Sequence, residues 1–97
     1  MRLCIIADDL TGALDAAAPF AGRGLSTRVA LGAEATAEAA ALNPQVMAVS
    51  TRSRDGDEAA ARAAMAQVLA ALPPGVALMK KVDSRLKGHV AAELAVL

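Results

Sequence analysis

The residues of this chain best suited to chemistry gather in three short segments, each directly behind an apolar run. Asp8, Asp9, Thr11 and Gly12 follow residues 3–7; Thr51, Arg52, Ser53 and Arg54 follow residues 46–50; Lys80, Lys81, Val82, Asp83 and Ser84 follow residues 76–79. Cations beside carboxylates and hydroxyls suit a small ligand that is both acidic and hydroxylated. An arginine such as Arg52 can grip an anionic oxygen pair in a fork, whereas a lysine acts as a mobile point charge. Asp8, Asp9 and Asp83 can accept hydrogen bonds from alcohol groups. Collecting these charges in one place is costly unless they pair with one another or with a ligand, which favours a functional reading over ordinary polar turns.

One site requires elements that bring the three segments together. The apolar runs at 3–7, 27–31, 46–50 and 76–79 read as strands, the last a short buried one. Thr11 can cap a helix from 12 to about 23, with Leu14, Ala17, Ala18 and Ala21 on one face, Pro19 as a kink inside it and Gly24 as its left-handed stop. Residues 34–42 are alanine-rich and read as a short helix or ordered loop, closed by Asn43 and Pro44. Asp57 can cap a longer helix over about 58–72, with Ala61, Met65, Val68 and Leu72 on one face and Pro73-Pro74-Gly75 as its stop. Residues 90–97 again carry a helical period.

This alternation predicts an α/β fold, a parallel sheet of about four strands with crossover helices, forming part of a larger domain. All strands of such a sheet end on the same edge, so the three polar segments converge there although they are distant in sequence. The second strand, ending at Leu31 and Gly32, offers nothing comparable. The last helix stops without a glycine, a proline or a polar turn, which predicts that the molecule continues beyond Leu97.

Composition narrows the classes of function. Ten basic and ten acidic residues balance, which argues against a nucleic-acid or anionic-membrane surface driven by net charge. The cations are nevertheless clustered, with Arg52, Arg54, Lys80, Lys81, Arg85 and Lys87 in two short segments. Hydrophobic residues make up 56% of the chain, but many are alanines and the only aromatic is Phe20, so Leu, Val, Ile and Met must build the core. Cys4 lies inside the first apolar run, where packing is its expected role. One cysteine cannot form an internal disulfide, and with no signal peptide the chain is expected in a reducing cytoplasm. The longest uncharged stretch, 63–79, is broken by Pro73-Pro74-Gly75, so no membrane span is expected.

Single motifs suggest rivals. Paired aspartates after a first strand also hold Mg²⁺ in phosphoryl-transfer sites, although a phosphatase-type nucleophile pattern spaces its aspartates one residue apart. Gly22-Arg23-Gly24 stands at a helix end, not between strand and helix, so it is no phosphate loop. His89 reads as a surface or capping residue.

Taken together, Ile6-Ala7-Asp8-Asp9-Leu10-Thr11-Gly12-Ala13-Leu14-Asp15, Ser50-Thr51-Arg52-Ser53-Arg54 and Lys80-Lys81-Val82-Asp83-Ser84-Arg85-Leu86-Lys87-Gly88 resemble the four-carbon acid sugar kinase family. The resemblance covers essentially the whole chain but only that family's N-terminal, sugar-acid-binding domain. It implies that residues 1–97 are an incomplete N-terminal domain and that a C-terminal ATP-binding domain is absent from this chain. It further implies ATP-dependent phosphorylation of a hydroxyl on a four-carbon sugar acid such as threonate, erythronate or an oxo-tetronate, with the fragment alone inactive. By position, Asp9, Arg52, Lys81, Val82, Asp83 and Ser84 would contact the substrate, with Asp8 and Lys80 close behind. Arg85 and Lys87 stand where the family varies and take no contact. The catalytic group is unassigned, no metal ligand is named, and ATP and Mg²⁺ would be bound mainly by the C-terminal domain of the same protein. An oligomer is compatible with this sequence. Two other functions stay open: a stand-alone sugar-acid-binding module, and a Mg²⁺-dependent phosphatase using Asp8 and Asp9.

Overall fold

The structure, a computed structural model, describes residues 1–52 and 57–81. In chain order these form β1 (Leu3–Ala7), α1 (Leu10–Gly22), β2 (Thr27–Leu31), a single 3₁₀ turn (Ala33–Ala35), α2 (Thr36–Ala41), β3 (Val46–Ser50), α3 (Glu58–Ala71) and β4 (Ala77–Lys81). The four strands make one parallel sheet in the order β2-β3-β1-β4, so the expected α/β fold is the one observed. Ser53, Arg54, Val82, Asp83, Ser84, His89 and the helix expected over 90–97 lie outside the described residues.

Successive strand side chains point to opposite faces, and each face of this sheet receives its own layer. Ile5, Ala7, Val46 and Ala48 pack on Ala13 and Ala17 of α1. Cys4, Ile6, Met47 and Val49 face the other way, onto Met65 and Val68 of α3, with Ala30 and Ala33 beside them. The near-continuous apolar strands 3–7 and 46–50 are explained by this double cover. Packing and strand order show that β1 leads through α1 toward β2 on one face, whereas β3 leads through α3 to β4 on the other, crossing over β1. The chain therefore leaves the adjacent strands β1 and β3 in opposite directions, and a crevice opens between their ends, where open α/β sheets bind ligands.

Three details depart from the sequence reading. The cap of α1 is Asp9, not Thr11: its Oδ1 accepts the Gly12 N–H at 2.9 Å, and a carboxylate at this end also faces the positive pole of the helix. Next, α1 buries Ala13 and Ala17 rather than the face carrying Leu14, Ala18 and Ala21, and Leu14 is 48% exposed. An alanine-rich helix is apolar nearly all round, so spacing alone could not choose its inner face. Finally, β4 runs to Lys81 and is not buried, with Leu78 42% and Met79 38% exposed. Pairing with β1 from Leu3↔Ala77 to Ala7↔Lys81 draws both lysines into the strand, and its position at the sheet edge leaves its apolar side chains open.

Other signals behave as read. Asp57 caps α3 by accepting the Ala60 N–H at 2.6 Å, Ala61, Met65 and Val68 are its buried face, and the helix ends just before Pro73. Gly24 follows α1 with φ +83, a left-handed stop that costs glycine little. The α1 helix runs through Pro19 to Gly22, and the 34–42 segment is the 3₁₀ turn plus α2.

Cys4 is fully buried, and burial pushes its thiol from 9.0 up to about 12. The native thiol is therefore neutral and shielded at pH 8, where alkylation by iodoacetamide is expected only after denaturation. Between pH 9.0 and about 12 the unfolded chain loses this proton while the folded chain keeps it, so stability falls as pH rises through that window. Native alkylation at pH 8 as fast as in denaturant would contradict this burial.

Candidate functional site

The ends of β2, β3, β1 and β4 stand side by side, with Leu31 paired to Ser50, Ser50 to Ala7 and Ala7 to Lys81. Main-chain contacts tie these exits together. The Thr51 N–H and Oγ1 both donate to the Ala7 carbonyl, at 2.9 and 3.2 Å, which locks the start of the β3 loop against the end of β1. The Gly32 N–H donates to the Ser50 carbonyl at 2.8 Å, which does the same for β2 and β3. Ser50 is fully buried at this edge, its Oγ without a hydrogen-bond partner among the described residues.

At the β1 and β4 exits, Asp9, Gly12 and Lys81 come together. A Cβ on Gly12 would lie 2.8 Å from Asp9 Oδ1 and 3.6 Å from Lys81 Cγ. A side chain at position 12 would require the Asp9 carboxylate to shift, and the Lys81 stem passes beside the same spot. Asp8, next to Asp9, is buried at 4% exposure. Lys80 and Lys81 are consecutive strand residues, so they leave the sheet on opposite faces. Lys81 shares the α1 face with its partner Ala7, whereas Lys80, level with Ile6, lies on the other face and donates from Nζ to the Lys81 carbonyl at 3.0 Å.

Arg52 stands at the β3 exit. Its backbone has φ +57, a left-handed conformation uncommon outside glycine. Its Nη2 donates to Glu34 Oε1 of the 3₁₀ turn behind β2. From the β3 exit to the β4 exit is two strand spacings, about 10 Å, so Arg52 and Lys81 arise from the strands on either side of β1, with the Arg52 guanidinium reaching toward the β2 exit. Of the expected site residues, the structure brings Asp8, Asp9, Arg52 and Lys81 to one edge and turns Lys80 to the α3 side; Val82, Asp83 and Ser84 lie outside the described residues.

Sequence reasoning missed Glu34 and Gly32, because the second strand's exit holds no cation or hydroxyl. The available signal was a glycine directly after a strand with an acid two residues later. Two apolar hollows, about 390 and 300 Å³, open on the flanks, one beside Leu14, Ala18 and Val29 and the other beside Leu31, Ala39 and Leu42. Neither contains Asp9, Arg52 or Lys81, so the charged strand-end edge is the candidate site for a polar ligand. No helix among the described residues is long and apolar enough to cross a membrane.

Comparison with known proteins bears on this edge. A D-threonate kinase of Bordetella bronchiseptica is 40% identical over 94 residues, which is 93% of this chain and 23% of that protein. The chain thus spans under a quarter of the length of that relative. No solved structure matches it. A family model described as a sugar-binding N-terminal domain matches residues 3–97. That match takes in all three polar strand ends, and with the kinase relative it bears out the resemblance read from the motifs: the chain belongs to the family of sugar-binding N-terminal domains, of the four-carbon acid sugar kinase type.

Proposed function

We propose that this chain is the sugar-acid-binding part of an ATP-dependent kinase that phosphorylates a four-carbon sugar acid of the threonate, erythronate or oxo-tetronate type. The observation that carries this reading is the meeting of Asp9, Gly12 and Lys81 at one end of a crevice with Arg52 across it. Arg52 offers a planar fork for a carboxylate and Lys81 a flexible second cation. Asp9, and Asp83 by the motif it belongs to, would accept hydrogen bonds from the ligand's hydroxyls. Asp8, Lys80, Val82 and Ser84 complete the set named by the resemblance.

At the β1 exit no bare helix N-terminus is offered to a nucleotide phosphate. The helix N-terminus that would face a phosphate is capped by the Asp9 carboxylate, an anion where an anion-binding site needs bare N–H groups. In this reading ATP and Mg²⁺ belong to a further, C-terminal domain, and residues 1–97 hold the acceptor in place. Fixing both reactants is the main source of catalysis in such transfers.

Calorimetric titration of the intact protein with threonate and erythronate tests the reading. Saturable binding of at least one acid, with ATP-dependent phosphorylation of the same acid, is expected. Binding with no phosphorylation would make the protein a stand-alone binding module. Phosphate release from sugar phosphates without ATP would make it a phosphatase.

A further inference from the structure

The exit of β2 carries no cation, hydroxyl or nucleophile of its own, yet the Arg52 guanidinium reaches to it. Arg52 Nη2 donates to Glu34 Oε1, and the local backbone is shaped around that contact. Gly32 has φ +108, and a Cβ there would collide with both carboxylate oxygens of Glu34 and with Arg52 Nη2. The Gly32 N–H is fixed to the Ser50 carbonyl at 2.8 Å, which anchors the Glu34 turn two residues from Arg52 across the strand pair. Arg52 adopts its left-handed φ of +57 in the same place. Glycine, carboxylate and arginine therefore form one arrangement spanning two loops.

The arrangement does little for stability. The two side chains are 61% and 62% exposed, and exposed ion pairs contribute little to folding. What the contact does is restrict a long, flexible side chain. A guanidinium has five N–H donors in two planar forks, Nε–Nη2 and Nη1–Nη2, and Nη2 has one N–H in each, so Glu34 at Nη2 occupies one fork and leaves the other for a second carboxylate. We propose that Glu34 is a positioning residue: it holds Arg52 by one side so that the other is presented to the carboxylate of the sugar acid. The inference rests on Arg52 being the carboxylate's partner, as read above.

The test is a double-mutant cycle on the intact protein, with the affinity for whichever of threonate and erythronate binds read by calorimetry. Glu34→Ala is expected to weaken binding about fivefold, the most an exposed pair supplies, with no change in melting temperature. Glu34→Gln keeps an acceptor at the same reach and is expected to recover most of that loss. In an Arg52→Ala background, Glu34→Ala is expected to change nothing further. Unchanged or tighter binding by Glu34→Ala overturns the proposal, since it would show that Glu34 merely competes with the ligand for Arg52. So does an equal loss with and without Arg52. If Arg52→Ala alone binds like the parent, the assignment of Arg52 fails first, and Glu34 falls with it.

Discussion

Replacing Arg52 with alanine is expected to weaken binding of the sugar acid about ten- to hundredfold, the worth of one or two charge-assisted hydrogen bonds to a carboxylate. The protein should fold as before, because the side chain is 61% exposed and its one described partner, Glu34, is equally open. Backbone conformation supplies a control. At φ +57 a non-glycine residue is disfavoured by about 1 kcal/mol, so Arg52→Gly should bind as poorly as Arg52→Ala while being at least as stable. Calorimetry paired with thermal melting reads both quantities. Equal affinity in parent and Arg52→Ala would remove Arg52 from the site.

The largest effect on stability is expected at Met65. This side chain is fully buried where α3 lies on the sheet, within the cluster of Cys4, Ile6, Met47 and Val49. Truncating it to alanine leaves a hole that a close-packed interior fills poorly, at a cost of about 2–5 kcal/mol. Domains are stable by only about 5–15 kcal/mol, so Met65→Ala should shift the urea midpoint severely. Leu14→Ala is the informative partner, because a helical repeat including Leu14 reads as the inner face of α1, whereas the structure turns it outward. Its cost should stay within about 0.5 kcal/mol, as for other surface changes. Comparable losses at the two positions would show that the packing of α1 is other than described.

These contrasts mark where sequence carries structure and where it does not. The strands at 3–7, 27–31 and 46–50 were legible because each is a compact apolar run between polar or glycine boundaries. Asp57 was legible as a cap because it precedes a helix with large residues on a single stripe. The inner face of α1 was not, since alanine supplies little contrast between faces. The end of β4 was misjudged because lysines look like a turn, although an edge strand accommodates them while its backbone still pairs with β1. Asp8, Asp9, Arg52 and Lys81 could be predicted to share an edge because parallel strands all end on one side. That Lys80 and Lys81 face opposite ways depends on strand register, and the Glu34 contact depends on strand order. Both are properties of pairing between distant segments, which no local window contains.

The order β2-β3-β1-β4 also has a kinetic side. The first strand to be synthesised takes neither of its sheet partners from the next one: Leu3 pairs with Val46 and with Ala77. At roughly 5–20 residues per second, β1 waits about 2–8 s on the ribosome before β3 exists to receive it. During that interval its apolar residues have no sheet to enter, and helix α1 has only half of the surface it will later cover. Closing such long loops is the slow step for parallel sheets. The two strand ends that form the crevice therefore cannot meet early, and the binding edge is assembled only once β3 has been made and has joined a strand synthesised long before it.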